Sequence, residues 1–260
     1  MRQYSIGVFF NVFNKNINNW EAQAKYIEDL GNVEHVEVLL EDVSLNSKER
    51  FLLKNLLKRY SVIIHAPFMD LTILSPHKEI IEASLSLFQK AMYIGKYLSA
   101  EVITIHAERY PNFYTENQAK QQALFHIKRL AESSSFPVAI ENLSLGGKTQ
   151  IPYPAIPKQI IQLSRAFLSN TALTVDTGHL LKDNFDVFEV LRKTKGLVHN
   201  IHLHDGKKGA AHLRLGDGNL NLDKFLALLE ELQYKRFVTL EVVGKQEISD
   251  SWRILRKTLK

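Results

Sequence analysis

The chain has 260 residues, 45% of them hydrophobic and 23% charged, enough apolar material for a sizeable core and too much for long disordered stretches. It contains no cysteine, which excludes disulfide frameworks and thiolate metal sites and leaves imidazole and carboxylate as the only metal ligands. A formal charge of +5 and an isoelectric point near 9.2 favour an anionic partner such as a phosphorylated substrate, yet lysine and arginine are spread along the chain without the dense block of a nucleic-acid footprint.

At the amino terminus, MRQYSIGVFFNVFNKNINNW holds only a short apolar patch broken by asparagines, and no later run approaches the ~20 apolar residues of a membrane span. The expectation is a cytoplasmic protein with no membrane partner. A β-rich apolar run from Tyr4 to Phe10 reads as the first strand and is followed by a helical pattern from Trp20 to Leu30. The same pair recurs down the chain. His35 to Leu40 precedes a helix over Ser47 to Arg59, Ser61 to His65 one over Lys78 to Leu98, and Val102 to His106 one over Thr115 to Ala131. Val138 to Glu141 is followed by the loop Leu143 to Pro157 and a helix from Pro157 to Leu168; Ala172 to Asp176 is followed by Val187 to Thr194. Val198 to His204 then precedes Leu222 to Leu232, and Phe237 to Val242 precedes a last helix near Ser249 to Leu259.

Several of these strands, such as VIIHA, VITIH and LTVDT, are almost continuously apolar, as parallel strands covered on both faces must be. Eight such strand and helix pairs at this length predict one domain over residues 1–260, a single (β/α)8 TIM barrel. The loop LSLGGKTQIPYPAIP is a long strand-to-helix connection and not a domain boundary. An open sheet would call for a glycine-rich fingerprint after the first strand. The only comparable glycines, Gly216 and Gly218 in LGDGN, come late and form no GxGxxG, so no nucleotide cofactor is expected.

The polar residues gather at the carboxyl ends of the strands. His65, His106, Glu141, Asp176 with His179, His202 with His204 and Asp205, and Glu241 close six consecutive strands, and in a barrel those ends converge on one face. Any one of these histidines alone would read as a hydrogen-bonded strand-edge residue. Together they place carboxylates and imidazoles side by side without counter-charge, which a divalent cation would supply. The ligand types suit Zn, Mn, Fe, Co or Mg.

With HAPFMDL at His65, then IHAERY, AIENLS, VDTGHLL, IHLHDG, HLRLGDGNLNLDKF and TLEV in this order, the chain resembles the xylose isomerase-like TIM barrels. That superfamily comprises sugar and sugar-phosphate isomerases and epimerases together with the endonuclease IV type of apurinic endonuclease (AP endonuclease family 2). The resemblance implies a metal quartet of Glu141, Asp176, His202 and Glu241, with Glu141 and Glu241 as the catalytic acid–base pair that moves a proton through an enediolate stabilised by the ion. It implies His65 and His106 as further metal ligands, as in the endonuclease branch, and His179 as a contact to substrate oxygen. A third zinc in that branch uses an Asp-x-His pair. Here the loop reads Ala210, Ala211, His212, and the missing carboxylate counts against abasic-site cleavage.

Asn142, His204, His212 and Lys208 complete the expected substrate contacts; His204 reads equally as a partner behind a ligand, because it shares a strand face with His202. Lys207 and Arg214 lie near a possible phosphate, and Arg109, Tyr110, Phe113 and Tyr114 follow the fourth strand, where they either line a sugar pocket or pack locally. His35, His77, His126 and His199 are assigned to structure or surface. The leading expectation is therefore an isomerase or epimerase of a sugar, sugar phosphate or related polyol. A keto-polyol dehydratase or lyase using the same quartet, and a zinc-dependent phosphoesterase acting on nucleic acid, remain open beside it, as does assembly into homo-oligomers. Glu141 and Glu241 would be essential in the first, two or more zinc ions in the last.

Overall fold

A computed structural model describes residues 3–13, 16–146 and 148–259. Eight parallel strands form the barrel: β1 Ser5–Val12, β2 His35–Leu40, β3 Ser61–His65, β4 Ile103–Ile105, β5 Val138–Glu141, β6 Thr171–Asp176, β7 Val198–Leu203 and β8 Phe237–Leu240. Each pairs with its neighbours in sequence, and β8 pairs with β1 to close the ring, with Ser5 opposite Phe237 and Val8 opposite Leu240. The single (β/α)8 barrel expected from the alternation is the fold.

Helices α1 Ile17–Leu30, α2 Ser47–Leu57, α3 Lys78–Leu98, α4 Glu116–Ser133, α5 Pro157–Ser164, α6 Thr177–Lys182, α7 Val187–Lys193, α8 Leu222–Glu231 and α9 Lys245–Thr258 surround it. Their starts are specified locally. Asn46 accepts from the backbone of Lys48 and Glu49 while Glu49 reaches back, Thr115 and Gln118 do the same for α4, and Asn221 caps α8. The core between helices and strands is apolar, with Trp20, Phe10, Phe88 and Phe225 sealed from solvent. Each such side chain contributes roughly 1.5–3 kcal/mol relative to exposure. None of the helices among the described residues is long and apolar enough to cross a membrane.

The differences from the expected elements lie beyond the strand ends. The helix after β6 is two pieces, because the Asp176 carboxylate accepts from the His179 amide and starts α6 at the barrel mouth, before Asp186 starts α7. The long loop after β5 contributes Gln150–Pro152, which pairs with Arg109–Pro111 from the loop after β4. Asp205–Lys207 and Ala210–Leu213 form a second antiparallel ribbon above β7. Both ribbons are too short to show a two-residue period in sequence.

Candidate metal centre

Inside the barrel, beside an apolar cluster of Ile63, Val102, Ala139, Ala172 and Phe237, a chain of hydrogen bonds runs from Ser5 up to Glu37. Ser5 Oγ lies 2.9 Å from His35 Nδ1, His35 Nε2 lies 3.0 Å from Thr239 Oγ1, and the Thr239 hydroxyl donates to Asn200 Oδ1 at 3.0 Å. The Asn200 amide donates to Glu37 Oε2 at 2.7 Å, and Glu37 stands 3.1 Å from His202 Nε2. Because the Thr239 proton goes to Asn200, Thr239 accepts from His35 Nε2–H, which leaves His35 Nδ1 to accept from Ser5. Burial holds His35 down at about 3, so this ring stays neutral as the chain requires. At the upper end the Glu37 carboxylate can only accept. Burial alone would raise its pKa, but His202 draws it below the usual carboxylate value. His202 therefore donates from Nε2 and turns the lone pair of Nδ1 toward the mouth.

Three imidazoles are held in this way around one oxygen. His202 Nδ1 is 3.2 Å from Glu141 Oε2, His65 Nε2 is 3.3 Å from it and His106 Nε2 is 3.1 Å from it. The outer nitrogen of each ring faces an acceptor: Glu37 for His202, the Ala66 carbonyl at 2.8 Å for His65, and Glu108 Oε1 at 2.8 Å for His106. With the outer nitrogens protonated, three lone pairs point at a buried carboxylate. Acceptors facing acceptors need either protons or a cation between them. The proton solution is visible in the pKa values. Burial would lower both His106 and His202, but the carboxylates beside them win: Glu141 and Glu108 raise His106 to about 10, and Glu141, Glu37 and Glu241 raise His202 well above its ordinary value. Burial would raise Glu141, and His202 and His106 instead hold it well below the carboxylate range.

The cation solution has the donor set it needs. Glu141, Asp176, His202 and Glu241 each bring one ligand atom within 4.8 Å of the others, and so do His65, His106 and Glu141; Glu141 belongs to both groups. His202 Nδ1 and Glu241 Oε2 are buried without a hydrogen-bond partner although they lie only 3.0 Å apart. Two orphaned acceptors aimed at the same space fit a divalent ion, and the nitrogen and oxygen ligands suit the metals expected from composition. The resident group would be held by the quartet, with His65, His106 and Glu141 able to hold a second ion.

The remaining expected contacts are placed as follows. His179, on α6, lies 3.3 Å from Asp176 Oδ2 with Nδ1 donating to the Asn142 carbonyl at 3.0 Å, and is slightly open to the mouth. His212, half-buried, donates its amide to His204 Nδ1 at 2.8 Å and stacks on that ring at 4.2 Å. His204 is fully buried: Nδ1 receives the His212 amide and Nε2 donates to Asp176 Oδ2 at 2.9 Å. It thus stands behind Asp176, the second of its two expected roles, and has no nitrogen left for substrate. Gly178 permits this approach, since a Cβ there would lie 2.0 Å from the His204 ring. Asn142 is also sealed in, with Oδ1 accepting from the Asp176 amide at 2.8 Å and Nδ2 donating to the Asp176 carbonyl at 3.2 Å, so it clasps β5 to β6 and does not face the mouth as expected.

Lys208 is exposed at the turn of the upper ribbon. Asp205 turns away from the mouth; its carboxylate gathers the amides of Gly206, Gly216 and Leu220 at 2.8 to 2.9 Å and shapes the LGDGN loop. Lys207 donates to the Asp217 carbonyl, Arg214 pairs with Asp217, Arg109 holds the Gly146 carbonyl, and Tyr110 packs on Tyr153, all local roles. Reasoning from sequence missed Glu37, Asn200 and Glu108. A signal existed for the first two: a lone carboxylate inside the apolar strand HVEVLL, and an asparagine two residues before His202, hence on the same strand face.

A closed parallel barrel with carboxylates and imidazoles converging at its carboxyl end defines a class of barrel enzymes whose chemistry sits at that face. Residues 15–258 match the family described as xylose isomerase-like TIM barrel, and the chain belongs to it. Among curated proteins it is 26% identical over 228 residues to the uncharacterized protein MJ1311 of Methanocaldococcus jannaschii, covering 83% of this chain and 76% of that one. A D-tagatose 3-epimerase-like protein superposes with a TM-score of 0.83 at 20% identity over 98% of this chain and 97% of its own. The 3-keto-D-glucoside 4-epimerase YcjR of E. coli gives 0.76 at 16% identity over 98% and 99%, and a D-allulose 3-epimerase of Methylomonas sp. gives 0.78 at 16% identity over 100% and 96%. At these identities the likeness is one of fold.

Proposed function

We propose that the protein is a divalent-metal-dependent isomerase or epimerase of a sugar or related polyol. The observation that carries this reading is the pair of orphaned acceptors, His202 Nδ1 and Glu241 Oε2, held between Glu141 and Asp176 at an accessible barrel mouth. The epimerase names of the structural neighbours support it. A bound divalent cation supplies positive charge where negative charge develops on substrate oxygens during proton removal from the carbon beside a carbonyl. The chain's own residues supply the rest. Glu141 and Glu241 flank His202 at 3.2 and 3.0 Å and are the two carboxylates able to take and return a proton. Glu37 fixes the His202 tautomer, His204 and the His179 amide fix the Asp176 carboxylate, and His179 offers its outer nitrogen to a substrate oxygen.

The test is solvent-deuterium incorporation into a panel of ketoses, followed by NMR with Mn, Co, Zn or Mg supplied. Incorporation that depends on metal and is lost in Glu241→Gln supports the reading; no incorporation into any ketose with any metal overturns it.

One observation favours a second reading, a zinc-dependent phosphoesterase: the additional cluster of His65, His106 and Glu141, which would hold a second ion. Against it stands Ala210, a half-buried ribbon residue without a ligand atom where the endonuclease pattern has aspartate. Nicking of an abasic-site duplex by the zinc-loaded protein would decide for this alternative.

A further inference from the structure

A cavity of about 630 Å³ opens beside the candidate metal centre, between the carboxyl ends of β1 and β8 and the first turns of α1 and α9. It is continuous with that centre, because Glu241 and His212 form part of its wall. Phe9, on the wall as well, sets its ring edge against the His202 imidazole at 5.3 Å. Away from these residues the lining turns apolar, through Leu39, Ala22, Val242 and Ile248, and its rim carries two conspicuously exposed apolar side chains, Phe13 at 50% and Val243 at 72%. In size and lining this matches a ligand site more than a packing defect.

Two of the polar side chains on the apolar side, Gln23 and Tyr26, are already engaged with backbone groups. The Asn11 backbone N–H donates to Gln23 Oε1 at 2.8 Å while Gln23 Nε2 donates to the Asn11 backbone carbonyl at 3.0 Å, and Tyr26 donates to the Lys245 backbone carbonyl at 2.7 Å. Among the described wall residues Lys245 is the one ammonium, and it lies over the Tyr26 ring at 4.9 Å. The start of α9 does not invite an anion either, since the Glu247 carboxylate folds back over Gly244. Among the described wall residues a phosphate would find a single ammonium and no guanidinium, whereas an apolar group would displace water from the face of Leu39, Ala22, Val242 and Ile248.

We infer that this cavity is a substrate subsite, and that the physiological substrate is a polyol or keto-sugar bearing an uncharged apolar substituent, such as an aryl or alkyl group, in place of a phosphate. The inference rests on the isomerase reading for the polar half of the molecule, and the cavity itself supplies the other half. The polyol end meets Glu241 and His212 while the apolar group lies between α1 and α9.

The experiment is calorimetric titration of the manganese-loaded full chain with D-fructose and with its 6-O-benzyl ether, repeated on Ala22→Trp and Val243→Asp. Ala22 is exposed on α1, so a larger side chain there obstructs the cavity without repacking the core, and Val243→Asp puts a charge at the rim. The expected result is binding of the benzyl ether about tenfold or more tighter than the free ketose, with the difference reduced in both variants. Equal affinity for the two ketoses, no binding of either, or a preference untouched by both substitutions overturns the subsite. Solvent-deuterium incorporation measured on the same samples reports on the isomerase reading separately. Tight binding of the benzyl ether without exchange of a carbon-bound proton rejects that reading and keeps the subsite; exchange with equal affinities does the reverse.

Discussion

The floor and the mouth of the barrel each carry a buried polar network, yet the two differ in one respect. On the floor, Ser5, His35, Thr239, Asn200 and Glu37 form a chain in which each donor meets an acceptor. At the mouth, the inner nitrogens of His65, His106 and His202 face the carboxylate of Glu141, and Glu241 Oε2 and His202 Nδ1 have no partner. A satisfied network stabilises and specifies a structure, whereas converging acceptors cost free energy unless something positive sits between them. The two networks meet at His202, where the lower one orients a ligand for the upper one. On the proposed function, the difference marks where the fold stops serving itself and begins serving a ligand.

That contrast can be broken from above. Glu141→Gln removes the carboxylate shared by both ligand groups, and metal-dependent proton exchange is expected to fall by about 10³-fold or more, with calorimetric metal binding lost at both sites. It can be broken at the junction. Glu37→Gln leaves one acceptor oxygen for the two donors of His202 and Asn200, and metal affinity measured by competition with a chelating dye is expected to drop about 10- to 100-fold while the circular dichroism spectrum stays unchanged.

Acidity sharpens the same comparison. His106 is raised from 6.5 to about 10 in the metal-free protein, so its contribution to stability is fully present below pH 6.5 and is lost as pH rises through about 10. A metal ion must displace that proton. Affinity for a second ion is therefore expected to rise with pH between 7 and about 10, and titration in buffers of different ionisation enthalpy should register proton release on binding. On the floor, His35 has the opposite sign: held at about 3, it contributes stability above pH 6.5 that is lost as pH falls toward 3.

Breaking the floor alone has a smaller effect of a different kind. Thr239→Val deprives His35 Nε2 and Asn200 Oδ1 of a partner and is expected to cost about 1–3 kcal/mol in denaturant unfolding, with less effect on metal affinity than Glu37→Gln. The smallest change concerns the upper ribbon. Lys208 is exposed at its turn, and Lys208→Ala is expected to leave exchange kinetics and stability within about twofold and 0.5 kcal/mol; a large rise in KM would instead place the lysine at the substrate.

Much of this was legible in the sequence for a physical reason. Parallel strands buried on both faces read as continuous apolar runs, and a polar residue at the end of such a run is conspicuous, so β3 to β8 announced His65, His106, Glu141, Asp176, His202 and Glu241 together. What sequence left hidden depends on three-dimensional pairing. His204 lies on the same strand as His202, and spacing could not decide whether it served the substrate or Asp176; the Gly178 turn and the His212 amide decide it. Asn142 follows Glu141 directly, and only the register of β5 against β6 sets its amide on the backbone of Asp176. Glu37 stands out as a lone carboxylate in the apolar run HVEVLL, but nothing in the chain marks the distant His202 as its partner.

The most direct test of the account is calorimetric titration of metal-depleted protein with Mn and Zn, the wild type beside His202→Ala. Binding of at least one ion per chain, accompanied by proton release and abolished by the substitution, is the result expected from the converging acceptors at the barrel mouth. Wild-type protein that takes up neither ion, or a variant that binds as tightly as wild type, would contradict it.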